Sequence, residues 1–127
     1  MLSSYKILFL IVTFCILSGC KIDERGKYRN CGDQQGSILL YSSNCDSNFY
    51  IYLTEIKDLL SNHTIFSNCK VSNQKFITLT NDFIKNELCL SCNYGLGIYD
   101  CKRKTFEVYP YLLEKTDLQK RLNIINQ

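Results

Sequence analysis

The chain has 127 residues, with 15 Lys and Arg against 12 Asp and Glu, one His, eight Cys, nine Tyr and no Trp. A net charge of +3, spread along the chain, argues against a nucleic-acid partner: the one basic cluster, Lys102-Arg103-Lys104, has no aromatic platform interleaved with it and reads as a solvated turn. The length suffices for one domain and not two.

Met1 to Lys6 carries one positive charge, Ile7 to Ile16 is almost unbroken apolar sequence, and Ser18-Gly19 leads into Cys20. This is the three-part plan of a secretory signal. The apolar run is about half of the roughly 20 residues a spanning helix needs, so a retained transmembrane anchor is not expected. Leu17-Ser18-Gly19-Cys20 resembles the bacterial lipobox, in which Leu and a small-residue pair precede a cysteine that is acylated on sulfur and becomes the new N-terminus. The resemblance implies that residues 1–19 are a lipoprotein signal peptide, that Cys20 carries covalent lipid, and that the protein sits in the cell envelope. Lys21 in place of Asp after that cysteine implies the outer membrane, facing the periplasm. The alternative is a plain secretory signal cut after Cys20, leaving a soluble secreted domain. Only then, in a eukaryotic pathway, would the sequon Asn62-His63-Thr64 count.

Residues 20–27 are polar and charged apart from Ile22 and fit a tether; residues 28–127 are expected to form a single domain. Ser37-Ile38-Leu39-Leu40-Tyr41 reads as a buried strand. Phe49, Ile51 and Leu53 alternate with Tyr50 and Tyr52, a period-two pattern that predicts a second strand, antiparallel to the first, with its tyrosines outward. Thr54 is placed to cap a short helix with Ile56, Leu59 and Leu60 on one side, ended by Ser61-Asn62. Lys75 to Leu79 is a further strand candidate. Thr80 then stands as N-cap of a helix over 81–88, with Asp82 suited to its positive end.

Gly97 to Cys101 and Thr105 to Tyr109 read as a hairpin around Lys102-Arg103-Lys104, its turn lacking Gly or Asn. Pro110 closes that strand. Thr116 to Gln119 has the form of a capping box, and Leu118, Leu122 and Ile125 recur at i, i+4 and i+7 as the stripe of a C-terminal helix. The sum is a small disulfide-stabilised α+β domain: an antiparallel sheet of four or five short strands with two or three helices.

With Cys15 in the signal and Cys20 lipidated, Cys31, Cys45, Cys69, Cys89, Cys92 and Cys101 remain. An even set in a small exported domain reads as three disulfides, whose pairing sequence leaves open among about 15 arrangements. Cys89-Leu90-Ser91-Cys92 invites two other readings. A zinc site needs a second CxxC or paired histidines, and His63 is the only histidine. A thioredoxin-like dithiol needs the motif at a helix start within a βαβ unit, whereas Asn93-Tyr94-Gly95-Leu96-Gly97 follows at once. Structural bridging is the expectation.

No catalytic constellation is expected. His63, the one candidate base for a Ser or Cys nucleophile, is placed by its neighbours in an exposed loop after a helix stop. No serine lies in a GxSxG elbow. Asp23 and Glu24 fall in the tether, too loosely held for paired acid and base work, and Gly95-Leu96-Gly97 lacks the third glycine of a dinucleotide loop. Neither a metal nor a small-molecule cofactor is implied.

What is left over is tyrosine, which offers rigid amphipathic contact area and is enriched at binding hot spots. Tyr50, Tyr52, Tyr109 and Tyr111 are the expected outward set. The leading expectation is a membrane-anchored protein-binding module, an inhibitor or immunity protein against a periplasmic toxin or lytic enzyme. The alternatives are an accessory subunit of an envelope or secretion assembly and a small thiol-redox protein using Cys89 and Cys92.

Overall fold

Gly36–Ser42 is buried along its whole length and forms β1, an inner strand of the sheet in the computed structural model, which describes residues 31–32, 35–71 and 76–127. The expected signal peptide over residues 1–19, Cys20 and the expected tether over residues 20–27 lie outside the described residues. Ile38 and Leu40 point to one face and Leu39 and Tyr41 to the other, so both faces of the sheet need covering.

The chain leaves β1 into helix α1 (Ser47–Glu55), where a second strand was expected. The Asp46 side chain caps it, accepting the Phe49 N–H at 3.0 Å. Phe49, Leu53 and Ile56 fit a helical stripe, and Tyr52 joins it on the buried side. Ile51, the residue that completed the period-two pattern, is 56% exposed. The cap and Ile56, three residues beyond the supposed strand, decide for the helix.

Thr54 therefore lies inside α1, bonded to the Tyr50 carbonyl, and the short helix it was expected to cap shrinks to a 3-10 turn, Lys57–Leu60, with Leu60 buried. This crossover returns the chain as β2 (Thr64–Ser67), parallel to β1 with Ile38 opposite Ile65. Parallel neighbours require such a crossover and cannot be joined by a tight turn. The sheet is accordingly mixed and not purely antiparallel.

Of the expected strand from Lys75 to Leu79, Lys75 lies outside the described residues and residues 76–79 form no regular strand, meeting β2 through the Ser67 N–H, which donates to the Ile77 carbonyl at 2.9 Å. Helix α2 (Asn81–Glu87) starts where expected, the Thr80 hydroxyl accepting from Phe83 N–H at 3.3 Å. β3 (Tyr94–Asp100) and β4 (Thr105–Tyr109) form the expected hairpin, and helix α3 (Lys115–Ile125) follows. Its N-cap is Glu114, not Thr116, which sits in the first turn. The stripe Leu118, Leu122 and Ile125 is buried as read.

The strand order is β2-β1-β3-β4, with β1–β3 and β3–β4 antiparallel. One face carries α1, the 3-10 turn and α3 over Ile38, Leu40, Leu96 and Ile98. The other carries α2 and Leu79 over Leu39, Tyr41 and Phe66. On that second face Gly97 leaves room for the Phe106 ring, whose Cζ would lie 3.1 Å from any added Cβ.

Three disulfides tie the structure: Cys31–Cys101, Cys45–Cys69 and Cys89–Cys92. The first joins the chain ahead of β1 to the hairpin turn, and the second fastens the loop before α1 to the end of β2. The third closes a ring of neighbours only three positions apart. In the chain-entropy account the three contribute about 4.4, about 3.5 and about 2 kcal/mol respectively.

Candidate functional site

β4 is an outer strand, and its residues divide between the two faces. Thr105, Glu107 and Tyr109 stand opposite Asp100, Ile98 and Leu96, on the side covered by α3. Phe106 and Val108 point to the α2 side, where Phe106 meets Phe83 edge-on with centroids 6.4 Å apart. Past the strand the chain turns at Pro110, and Tyr111 folds back so that its ring meets that of Tyr109 edge to face at 6.0 Å. Tyr111 is 54% exposed and Tyr109 half-buried.

A polar chain continues from this pair. The Tyr109 hydroxyl donates to Glu107 Oε2 at 2.6 Å. Burial first, and then this carboxylate, push the Tyr109 pKa above its ordinary value, so the phenol stays a donor at neutral pH. Glu107 Oε1 lies 3.9 Å from Arg121 on α3. Between β4 and α3 runs a cleft of about 270 Å³ floored by Ile98 and Ile125 and flanked by Glu107, Arg121 and Arg103.

The far end of the cleft is built by the hairpin turn. Asp100 is buried, and its Oδ1 accepts the N–H groups of Lys102 and Arg103 at 3.0 and 3.1 Å. Its Oδ2 receives the Arg103 guanidinium at 2.9 Å. Burial alone would raise this carboxyl; the Arg103 guanidinium and the backbone donors outweigh it and hold it below the usual carboxylate range. This Asp supplies what the turn lacks in Gly or Asn, since Lys104 itself takes the left-handed conformation at φ 56°. Arg103 also donates to the Ile124 carbonyl at 2.8 Å, and Lys102 to the Gln127 carbonyl at 2.9 Å, so the turn holds the C-terminal end of α3.

The other two tyrosines of the expected set are elsewhere. Tyr52 lies in the core, its hydroxyl donating to the Leu113 carbonyl at 2.7 Å, and burial raises its pKa strongly. On a strand it would have faced outward; on α1 it falls on the helix's buried side. Tyr50 is half-buried and donates to the Lys70 carbonyl at 3.1 Å, beyond β2 and at the opposite edge of the sheet from β4. The structure thus brings Tyr109 and Tyr111 together and separates Tyr50 and Tyr52 from them.

His63 departs from its expected exposure as well. It is 6% exposed, its Nδ1 has no hydrogen-bond partner, and burial lowers its pKa. Arg121 and Asp100 were not singled out from sequence, although the turn Lys102-Arg103-Lys104 was read as that of the hairpin. The Asp ahead of a three-cation turn was a local signal for the latter; nothing local announces that Arg121 meets β4.

Among the described residues no group of three or more His, Cys, Asp and Glu side chains is arranged to hold a metal ion, and no helix is long and apolar enough to cross a membrane. No protein family, curated protein or solved structure matches this chain.

Proposed function

We propose that the chain is a lipid-anchored cell-envelope protein, held through Cys20 and facing the periplasm from the outer membrane, whose domain binds another protein along the β4 edge. By analogy of size and address, it acts as an inhibitor or immunity protein against a lytic enzyme or toxin. The observation that carries the binding reading is the Tyr109–Tyr111 pair at the end of an outer strand, continued by Arg121 beside a cleft with an apolar floor. Tyr and Arg are the residues whose truncation most often costs binding energy, and the open backbone of an edge strand adds hydrogen-bonding sites for an extended segment. The disulfides suit an oxidising compartment, in keeping with the export signal.

The test uses the protein in its native host with a photo-crosslinking side chain in place of Tyr111. An adduct with a lytic enzyme or toxin, lost when Tyr109→Ala and Arg121→Ala are introduced, is the expected result. An adduct only with envelope machinery moves the protein to the accessory-subunit class, and an intact mass without acyl groups on Cys20 removes the anchor.

A further inference from the structure

The Cys89–Cys92 bond differs from the other two in what it holds. Cys31–Cys101 and Cys45–Cys69 join segments 70 and 24 positions apart, whereas Cys89–Cys92 spans three. The turn it closes is secured without it. Cys92 N–H donates to the Cys89 carbonyl at 3.2 Å, Leu88 is buried and donates to the Ile84 carbonyl at 3.0 Å, and Ser43 N–H donates to the Asn93 carbonyl at 3.0 Å. Opening the bond would leave both sulfurs on the same turn, 5.2 Å apart at Cα. The tip is accessible: Leu90 is 51% exposed, Ser91 is exposed and both cysteines are half-buried.

We propose that Cys89 and Cys92 form a reversible dithiol–disulfide couple that exchanges two electrons with the CxxC dithiol of a partner protein, docked over Leu90. The reaction balances without a further reagent. A partner thiolate attacks one sulfur of the Cys89–Cys92 bond, forming a mixed disulfide and releasing the other sulfur as a thiolate. That thiolate takes up a proton; the partner's second thiol, losing its own, attacks the partner sulfur of the mixed disulfide, and the chain's sulfur leaves as a thiolate that is protonated in turn. The chain ends with two thiols and the partner with a disulfide.

Geometry assigns the roles. The Ser91 hydroxyl lies 3.1 Å from Cys89 Sγ and can donate to a thiolate developing there, so Cys89 is the leaving sulfur and Cys92 the one attacked. The C-terminal end of α2 opposes negative charge at Cys89, but a direct hydrogen bond to an ion outweighs a helix-end dipole at an exposed site. Because the motif follows a helix and does not precede one, its thiols lack the stabilisation that makes strongly oxidising pairs, and the couple belongs among the reducing ones.

The experiment equilibrates the native protein, all its cysteines present, with graded ratios of reduced and oxidised dithiothreitol. Free thiols are alkylated and each pair is quantified by peptide mass, with near-ultraviolet circular dichroism recorded in parallel. The expected result is that Cys89 and Cys92 become alkylated together and reversibly while the other two pairs stay oxidised and the spectrum is unchanged. Reduction only in step with Cys45–Cys69, or with loss of the spectrum, overturns the proposal. In a second measurement a reduced CxxC oxidoreductase whose second cysteine is replaced by serine is offered to the native chain with Cys89–Cys92 oxidised, and the mixed disulfide is located by peptide mass. At least tenfold more adduct through Cys92 than through Cys89 supports the assignment; equal or reversed yields, or no adduct, overturn it.

Discussion

Burial of the single imidazole makes the stability of this protein titrate at near-neutral pH. His63 is 6% exposed with Nδ1 unpartnered, and its pKa is lowered by desolvation. In the unfolded chain the same imidazole titrates near about 6.5. Between the lowered folded pKa and that value, the unfolded state binds more protons than the folded state, so stability rises with pH there. The contribution is complete above about pH 6.5 and is lost as pH falls from there toward the folded pKa. One proton limits the slope to about 1.4 kcal/mol per pH unit, a sizeable part of a net stability of about 5–15 kcal/mol. Urea unfolding followed by far-ultraviolet circular dichroism between pH 7.5 and 5.5 measures the slope, above the range where carboxylates dominate. His63→Gln should flatten it, whatever the variant's absolute stability. An imidazole found by NMR to titrate at or above its ordinary value in the native state, or an undiminished slope in His63→Gln, would refute the reasoning.

Three further outcomes are expected. Tyr52→Ala should lower stability by about 3–5 kcal/mol, as for other large aromatic truncations in a core, whereas Tyr111→Ala should stay within about 0.5 kcal/mol of the native protein while weakening partner crosslinking; thermal unfolding separates them. Replacing Cys45 and Cys69 together by Ala should cost about 3.5 kcal/mol and replacing Cys89 and Cys92 at most about 2 kcal/mol, an order that urea titration checks. Asp100→Asn should remove part of the acid lability: the depressed carboxyl contributes stability that is present above about pH 4 and lost as pH falls further, so acid unfolding of the variant should begin from a lower baseline and fall less.

Where a local signal was complete, the fold was legible. β1 is a continuous apolar run, Thr80 sits one position before α2, the hairpin has a strand on each side of a charged turn, and Leu118, Leu122 and Ile125 fit only a helix. Phe49 to Leu53 was misread because Phe49 and Leu53, four apart, satisfy both a period of two and a period near 3.6. The deciding residues, Asp46 and Ile56, lay outside the window. β2 passed unnoticed, since four residues with only Ile65 and Phe66 apolar announce nothing until a parallel neighbour is supplied.

The cysteine pairing and the meeting of Arg121 with Glu107 are facts of tertiary placement, to which spacing along the chain is blind. His63 was misplaced for a related reason. Its polar neighbours Asn62 and Thr64 suggested a surface, but Thr64 opens β2, and His63 just ahead of it is buried while Asn62 stays exposed.

The two sides of the sheet are unequally guarded. Beneath α1 and α3 lies the larger set of apolar side chains, anchored by Cys45–Cys69 and by the hairpin's grip on α3. The opposite side is roofed by seven residues of α2 and by Leu79, and the disulfide that follows α2, Cys89–Cys92, bridges two positions of its own turn. Transient opening is expected to begin there, with α2 lifting while the sheet and the α3 side persist; hydrogen exchange should then find the amides of α2 exchanging well before those of β1 and β3. What such an opening uncovers is Leu39, Tyr41 and Phe66, an adhesive apolar surface. On that expectation, aggregation and proteolytic nicking should follow the opening of this roof more closely than the global stability.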